Sequence, residues 1–397
     1  MIKPATPRIT KVKKHILPVI VLAQFLGTSL WFATNAVLSD IQTAFSLGEG
    51  SLGHLTAAVQ LGFILGTLVF AVFTIADRFS PSKVFFSCAL LGAVFNLGVV
   101  LGEHSLWSLI ALRTLTGFFL AGIYPVGMKL AADHFEKGLG KSLGYLVGAL
   151  VLGTALPHLL NYVTVLGDIP WKGVIIGTTV LAMIGGILIL LTVPDGPYRQ
   201  PGKGFQPEGI IRVFKNREFK VAAMGYFGHM WELYAFWAYT PVILIYLFRQ
   251  DQDLTSLLAF MVIGIGGPAC VLGGYRSLNN GVKPTATLAL LFSGICCLLS
   301  PLIFSFATPW VSLGFLVVWG MVVIADSPLF STLVAQNAIP EFKGSALTIV
   351  NCIGFSITIL SIQLLNYLQQ YLQVQFLFLP LALGPLFGLY LLWTKAK

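Results

Sequence analysis

Runs of apolar residues, each long enough to cross a membrane as a helix, recur along the whole chain and are separated by short polar loops. A helix rises about 1.5 Å per residue, so about 20 apolar residues span a hydrocarbon core of roughly 30 Å. The runs are continuously apolar and too long for tilted strands of alternating character, which excludes a membrane β-barrel. We predict twelve helices, near residues 16–38, 51–76, 82–101, 105–131, 139–166, 173–193, 220–247, 256–274, 284–305, 309–333, 344–367 and 373–393.

Composition agrees with an all-α membrane protein. Of the 397 residues, 56% are hydrophobic and 10% are charged, whereas a soluble domain carries about a quarter charged residues. No long polar segment remains for a water-soluble domain, and the sequence has no P-loop motif, which argues against an ATP-driven pump. The five cysteines lie inside apolar runs without the spacing of metal ligands. We therefore expect no metal or other cofactor.

The positions of the basic residues indicate the orientation of the chain. The formal net charge is +9 at pH 7, but lysine and arginine occupy short loops instead of one continuous surface, so we expect no nucleic-acid partner. With a cytoplasmic N terminus, nearly all loop lysines and arginines fall on one face, and the other has only Lys172 and Arg249. Cytoplasmic loops are enriched in these residues. We predict cytoplasmic N and C termini in a multi-pass protein of the bacterial inner (plasma) membrane.

The predicted helices divide into two six-helix bundles, at residues 1–193 and 220–397. The cytoplasmic linker loop between them, at 194–219, is rich in proline, glycine and basic residues. An internal repeat relates the bundles by pseudo-two-fold symmetry, because residues of helices 4 and 5 recur at one offset in helices 10 and 11. The matched pairs are Gly117 with Gly320, Pro125 with Pro328 and Ser142 with Ser345. Transporters commonly have such repeats, with a binding site between the halves near the membrane midplane.

Ionisable residues inside apolar helices are the strongest functional candidates, because each costs roughly 2.5–3.5 kcal/mol at a helix centre on insertion scales. Glu232 lies in the middle of helix 7, and His229 precedes it by one turn on the same face. Asp326 precedes Pro328 in helix 10, where proline removes a backbone donor and loosens the helix. Acidic and histidine side chains can bind and release protons, so we predict proton coupling by these three residues. The alternative for each is a satisfied hydrogen bond between helices.

Arg113 is the ionisable residue of helix 4, and its planar donor fork suits a carboxylate or another oxyanion. We predict that it binds the substrate; the alternative is a structural ion pair with Glu232 or Asp326. We also expect these three residues to meet in one wet pocket between the bundles. Polar and aromatic residues of helices 1 and 7 complete the predicted substrate site: Gln24, Trp31, Asn35, Tyr234 and Trp237.

Two short motifs carry a family resemblance. One is the helix 4 set of Arg113, Gly117, Ala121, Gly122 and Pro125, and the other is Asp77-Arg78-Phe79 with Lys83, between helices 2 and 3. They resemble the major facilitator superfamily of secondary transporters over the whole chain, although Phe73 stands where that superfamily usually has glycine. The segments 225–241 and 325–330 are similar to a bacterial branch loosely labelled nitrate- or cyanate-transporter-like. The glycine signatures of nitrate carriers are absent, so that substrate is not transferred.

The resemblance implies two bundles that rock about a central site lined by helices 1, 4, 7 and 10. The residues alone favour a solvated loop at Asp77 and Arg78, whereas the resemblance implies gating by them. The partner of Asp77 would be the start of helix 11 near Gly344, because free helix N–H groups attract an anion. We predict a proton-coupled secondary transporter, not an enzyme, that carries a small polar or anionic organic solute as a monomer surrounded by lipid. The alternative is drug or metabolite efflux by a proton antiporter of the same fold.

Overall fold

The computed structural model describes residues 15–135, 139–199, 206–249 and 252–394, and the regular structure within these ranges is helical, without a strand. Ten of the described helices are long and apolar enough to cross a membrane. The prediction of an all-α membrane protein is therefore confirmed, whereas the count of twelve spans and the orientation remain predictions. The basic N-terminal arm, at 1–14, lies outside the described residues.

The helices of the first half keep their predicted order, but several differ in their ends. Helix 1 is broken into Ile16–Thr28, Ala33–Ala36 and Leu38–Ala44. Helix 2 is Ser51–Val72, followed by a short turn at Ile75–Arg78, and helix 3 is Pro81–Gly98. Helix 4 consists of Leu106–Leu120 and Tyr124–His134, helix 5 is Leu139–Leu166 and helix 6 is Lys172–Thr192.

The second half begins with a short helix in the predicted linker, Pro207–Lys215. Helix 7 is Arg217–Leu247, helix 8 consists of Gln252–Gly264 and Gly266–Asn280, and helix 9 is Val282–Phe306. Helix 10 consists of Pro309–Ala325 and Ser327–Asn337, and helix 11 is Lys343–Leu368. Helix 12 starts with two 3₁₀ turns, Val374–Phe376 and Leu379–Ala382, and continues as Leu383–Thr394.

Part of the predicted linker loop is thus helical, and helix 7 begins three residues before the predicted start at 220. Asn216 explains the earlier start, because its side chain accepts hydrogen bonds from the backbone N–H groups of Glu218 and Phe219. An asparagine at the N-cap satisfies donors that the first turn of a helix leaves free. Helix 7 has 31 residues, enough for about 46 Å at the usual rise.

Helices 4 and 10 are interrupted at matching places. Pro125 stands in the first turn after the break in helix 4, and Pro328 in the first turn after the break at Asp326. Proline lacks the backbone N–H group and clashes with the preceding turn, but it is tolerated at the start of a new helix. Helix 1 is broken between Ser29 and Phe32 without a proline, so another group must bind its free backbone carbonyls.

Glycines allow the closest helix contacts within each half. A methyl group on Gly117 would overlap the carbonyl of Val59 in helix 2, and one on Gly320 would overlap the carbonyl of Val262 in helix 8. Small residues at such crossings let two backbones touch. The two contacts are related by the same sequence offset as the matched prolines. The repeat seen in the sequence therefore corresponds to one helix contact that is made twice.

The two halves meet along two helix pairs. Helix 2 packs against helix 11, and helix 5 packs against helix 8. At the second pair, Gly148 and Gly267 face each other at backbone distance. Helices 1, 4, 7 and 10 lie between these pairs, and two cavities open beside them.

Candidate functional site

Six aromatic side chains meet between the halves and are at most 4% exposed. They come from helices 1, 2, 7 and 11 and are Trp31, Phe32, Phe63, Tyr234, Trp237 and Phe355. The centroid of the Trp31 ring lies 4.9 Å from that of Phe63 and 5.6 Å from that of Tyr234. Trp237 joins them through Tyr234, at 5.2 Å. We call these six residues the aromatic layer; it unites three of the predicted substrate contacts.

A cavity of about 350 Å³ with a mixed polar and apolar wall lies on the side of the layer that is predicted to face outwards. We call it the outer vestibule, and its polar lining includes Asn35, Gln42, Glu49, His158, Asn161 and Gln369. Asn35 follows Trp31 by about one turn and donates a hydrogen bond of 2.7 Å to the Thr56 hydroxyl of helix 2. The predicted substrate contact Asn35 therefore lies at the inner end of this vestibule, next to the aromatic layer.

A second cavity, of about 590 Å³, lies on the opposite side of the layer. We call it the inner cavity, and its large lining residues are Tyr124, Met128, Tyr226, Met230, Tyr234 and Phe355. Lys129, Asp133 and Lys343 also line it, on the side that is predicted to be cytoplasmic. Because Tyr234 and Phe355 belong both to the layer and to this wall, the aromatic layer separates the two cavities.

Arg113 does not have the predicted contacts. Its guanidinium donates to the backbone carbonyls of Leu30 and Trp31, at 2.9 and 2.5 Å, and to the Asn96 side chain at 3.1 Å. The side chain is fully buried, and the two carbonyls lie within the break of helix 1. Arg113 therefore supplies the donors that this break lacks, and its two terminal nitrogens are occupied. The structure does not support a direct substrate clamp at this residue.

Glu232 is buried inside the second half. Its carboxylate accepts hydrogen bonds from the Ser293 hydroxyl of helix 9 and, at 2.6 Å, from the Trp319 indole of helix 10. The ring of Trp319 packs against Phe236 at a centroid distance of 4.8 Å. The carboxyl group therefore links helix 7 to helices 9 and 10 of the same half.

His229 and Asp326 form the second buried polar contact of helices 7 and 10. The Nδ1 atom of His229 lies 2.8 Å from Oδ1 of Asp326, and both side chains are 1% exposed. Among the described residues, neither Nε2 of the histidine nor Oδ2 of the aspartate has a hydrogen-bond partner. The neighbouring residues Met230 and Ser327 line the inner cavity. The pair therefore sits directly behind the cavity wall.

The expectation that Arg113, Glu232 and Asp326 share one pocket is wrong for this conformation. Each polar side chain has its own set of contacts, and none of the three lines the outer vestibule or the inner cavity as described. The physical reason is that each charged side chain has a nearer partner than the other charges. Arg113 has the carbonyls at the break of helix 1, and Asp326 has His229. Glu232 has the donors of Ser293 and Trp319.

Asp77 is bound within the first half. Its carboxylate lies 2.7 Å from the ammonium group of Lys129, which is also 3.6 Å from Asp133. Asp77 and Gly344 line a further cavity of about 490 Å³ on the inner side. The expected contact of Asp77 with the start of helix 11 is therefore replaced here by the pair with Lys129. Arg78 is exposed.

Several residues of the site were not predicted. Lys129 falls inside the predicted helix 4 and was not among the candidate residues, although its position one turn after Pro125 could have suggested a contact with the Asp77 loop. Gln60 is a fully buried amide of helix 2, whereas the predicted neutral contacts all belong to helices 1 and 7. Phe63 and Phe355 gave no signal, because the chain has 30 phenylalanines.

Gln24 lies apart from the layer, about two turns before Trp31. Its amide oxygen occupies the space beside Gly127 of helix 4, where a Cβ atom would collide with it. Neither amide atom of Gln24 has a hydrogen-bond partner within the described part of the chain.

This fold and site can be compared with known proteins. A family model described as Major Facilitator Superfamily matches residues 20–362. The chain belongs to the major facilitator superfamily. The resemblance found in helix 4 and in the Asp77 loop is thereby confirmed, and the protein is a multi-pass membrane transporter and not an enzyme.

Two curated relatives match part of the chain. It is 26% identical over 187 residues, 46% of its length, to the sphingosine-1-phosphate transporter SPNS2 of Danio rerio, and the match covers 36% of that protein. It is 30% identical over 133 residues, 31% of its length, to a metabolite transport protein of Haemophilus influenzae, and this match covers 32% of that relative. The chain thus matches about a third of the length of each relative.

Solved structures of the superfamily match nearly the whole chain. The xylose transporter XylE from E. coli, in a partially occluded inward-open conformation, has a TM-score of 0.76 at 15% identity and covers 97% of this chain and 98% of its own. An inward-facing bacterial homologue of the human lysosomal transporter Spinster has a TM-score of 0.71 at 15% identity, with 91% and 83% coverage. The nucleoside transporter NupG has 0.70 at 13% identity, with 96% and 100% coverage. These similarities establish the fold.

Proposed function

We propose that the protein is a secondary transporter that carries a small polar organic solute across the bacterial inner membrane by alternating access, driven by protons. The observation that supports this proposal best is the aromatic layer between two cavities that approach it from opposite sides. A solute bound at the layer can reach either cavity if the two halves rock about the helix pairs that join them. Trp31, Asn35, Tyr234 and Trp237 are the proposed contacts, with Gln24 nearer the inner side.

The proposed solute is polar but not specifically anionic. The anionic alternative depended on a free guanidinium at Arg113, whose terminal nitrogens are bound to the backbone of helix 1. Among the similar structures, XylE is a xylose transporter and NupG a nucleoside transporter. Pentoses and nucleosides are therefore the first solutes to test. We propose a monomer, with apolar side chains such as Leu191 and Leu360 facing lipid.

Proton coupling is proposed for His229, Asp326 and Glu232. Ionisable groups within membrane segments often serve as proton relays. The His229–Asp326 pair lies behind the wall of the inner cavity, so a proton could reach it when that cavity is hydrated. Glu232 lies one turn further along helix 7 and contacts helices 9 and 10. Protonation of these groups would change the contacts between helices that must move.

Export of a metabolite by the same fold is the second candidate. The inner cavity favours it, because much of its wall is apolar or aromatic, including Met128, Met230 and Phe355. Such a wall accepts solutes with apolar parts that are synthesised in the cytoplasm. Flux in the two directions across the same vesicle membrane distinguishes import from export.

Single cysteines test alternating access directly. Ser39→Cys places a thiol in the outer vestibule and Ser331→Cys places one in the inner cavity. The five native cysteines are buried, so membrane-impermeant maleimide should label mainly the new thiols. We expect a transported pentose or nucleoside, together with a pH gradient, to change the two labelling rates in opposite directions.

The control is Glu103→Cys, in an exposed loop outside both cavities, whose labelling should stay constant. Parallel changes at Ser39→Cys and Ser331→Cys, or no uptake of any tested solute into proteoliposomes with either gradient direction, would contradict transport by alternating access.

A further inference from the structure

Several polar atoms at the aromatic layer are buried without a hydrogen-bond partner among the described residues. They are Nε1 of Trp31, Oγ1 of Thr34, Nε1 of Trp237 and both amide atoms of Gln60. All four residues are at most 1% exposed. An unpaired polar group inside a protein costs free energy, and most such groups in native structures do have partners. A cluster of four therefore needs an explanation.

Gln60 can be placed from its neighbours in helix 2. One turn before it, Thr56 accepts the hydrogen bond of Asn35, and about one turn after it, Phe63 packs on Trp31. Residues three and four apart share a helix face. Gln60 therefore faces helix 1 between the levels of Trp31 and Asn35. Thr34 occupies the same stretch of helix 1, so the amide and the hydroxyl lie between the aromatic layer and the outer vestibule.

Arg113 and Glu232 have their main contacts elsewhere, although Nε of Arg113 has no hydrogen-bond partner among the described residues. The Arg113 guanidinium is bound to the carbonyls of Leu30 and Trp31, so the backbone of helix 1 stands between it and the layer. Glu232 is held by Ser293 and Trp319 inside the second half. Within the described residues, the unpaired atoms of the layer thus comprise neutral donors and acceptors beside aromatic faces.

We propose that the layer binds an uncharged ring-shaped solute with several hydroxyl, amide or keto groups, and that Gln60 and Thr34 determine this specificity. The inference rests on the proposed transport function and narrows its solute class. The two indole N–H groups donate, Thr34 donates or accepts, and the Gln60 amide does both. The faces of Trp31, Tyr234 and Trp237 pack on the ring.

Charge discriminates against other solutes. A cation would meet the positive charge of Arg113, for which the described residues offer no carboxylate within ion-pair distance. An anion would be attracted by the Arg113 charge, but the terminal nitrogens of that guanidinium are bound to Asn96 and the backbone of helix 1 and cannot contact it. The anion would then lose its hydration for neutral donors, which is unfavourable in a dry site. A neutral solute instead satisfies the unpaired atoms when the halves open towards either cavity.

A series of thermal-shift measurements with matched solutes tests the preference for uncharged solutes. The purified protein is measured with glucose, glucosamine and glucuronate, and with uridine and uridine monophosphate. We expect a neutral member of at least one series to raise the melting temperature, whereas its charged counterparts do not. Equal or stronger stabilisation by a charged member, or no stabilisation by any neutral member, overturns the proposal.

Two substitutions test the residues. Gln60→Met keeps the length of the side chain and Thr34→Val keeps its shape, and each should weaken binding of the stabilising solute about tenfold, the scale of one hydrogen bond. Without solute, each should leave the melting temperature unchanged or raised, because an unpaired buried group is removed. If Gln60→Met does not fold, the binding of the solute by Thr34→Val is measured alone. Binding that matches the unaltered protein in the folded variants would refute the assignment.

Thr67→Val is the matched control. Thr67 lies on the same helix as Gln60, is buried and has an unpaired hydroxyl among the described residues, but lines the cavity near Asp77. The Thr67→Val variant should bind the solute as tightly as the unaltered protein. The two proposals can fail separately: a neutral solute that binds but never crosses proteoliposomes would refute transport, whereas transport of a charged solute alone would refute the neutral site.

Discussion

The buried charged residues each have a different set of partners, and those partners limit the roles that are possible. Arg113 binds backbone carbonyls, Glu232 binds a hydroxyl and an indole, and Asp326 contacts His229. Removing one partner of a buried charge usually costs more than the intact contact contributes, because the other group is left unpaired. Conservative substitutions therefore separate structural from transport roles.

Arg113→Lys should destabilise the protein by about 1.5–3 kcal/mol, the scale of a charged hydrogen bond. A single ammonium group cannot reach Asn96 and the two carbonyls of helix 1 in the same geometry. The measurement is thermal unfolding in detergent, with Arg276→Lys, at an exposed position of helix 8, as the control. Normal stability combined with weaker solute binding would restore the direct clamp that the sequence suggested.

Asp326→Asn should abolish uphill accumulation driven by a pH gradient and preserve exchange of solute across the membrane. The amide retains an oxygen that can accept from His229 but cannot take up a proton, so the helix contact persists while the coupling is lost. The measurement compares gradient-driven uptake with counterflow in proteoliposomes. His229→Gln should give the same separation. Unaltered accumulation in both variants would show that protons are coupled elsewhere.

At the scale of helices, broken elements and glycine contacts determine where the halves can bend. Helices 4 and 10 are each interrupted before a proline, and each crosses its partner helix at a glycine. The break in helix 1 depends instead on a side chain, Arg113, that comes from helix 4. Arg113 thereby holds helix 1 against helix 4. Trp31 and Phe32 of the aromatic layer should therefore move together with the first half.

Gly320→Ala should destabilise the protein by about 1–3 kcal/mol, because the added methyl group must push helix 10 away from the Val262 carbonyl. Gly314→Ala in the same helix is the matched control, since nothing lies within 4 Å of its Cβ position. Alanine there should be neutral or stabilising by up to about 1 kcal/mol. Melting temperatures of the two variants in one detergent check the contrast, and equal values would contradict the close crossing.

At the scale of the molecule, the described conformation has its larger cavity on the side predicted to be cytoplasmic. Lys129 lines both this inner cavity and the cavity that contains Asp77 and Gly344. The Lys129–Asp77 pair is 23% and 27% exposed at its two side chains, and such pairs contribute up to about 1 kcal/mol. The ion pair with Lys129 therefore opposes contacts between Asp77 and other groups only weakly.

Lys129→Met should favour closure of the inner cavity by up to about fivefold, the ratio that corresponds to 1 kcal/mol. Without Lys129, the Asp77 carboxylate is free to approach the N–H groups at the start of helix 11. The measurement is maleimide labelling of Ser331→Cys, which should become slower. Lys283→Met, which removes an exposed ion pair with Glu218, serves as the control. Faster labelling in the Lys129 variant would argue against gating by Asp77.

The sequence by itself determined that this protein is an all-helical membrane transporter of the major facilitator superfamily. Hydrophobic runs reveal helices because the bilayer requires every backbone group to be bonded within its own segment. It also pointed to a loosened helix near Pro328, since proline removes a donor from its own backbone. Buried ionisable residues stood out for the same reason, because their cost in lipid depends mainly on depth.

Only the tertiary structure decided which partners those residues have. Arg113 meets the carbonyls at the break of helix 1, and a break without proline leaves no clear sequence signal. The aromatic layer joins residues of helices 1, 2, 7 and 11 that are far apart in the chain, and nothing local distinguishes Phe63 or Phe355 from other phenylalanines. A side chain's direction depends on helix rotation and crossing, which arise from packing between distant segments.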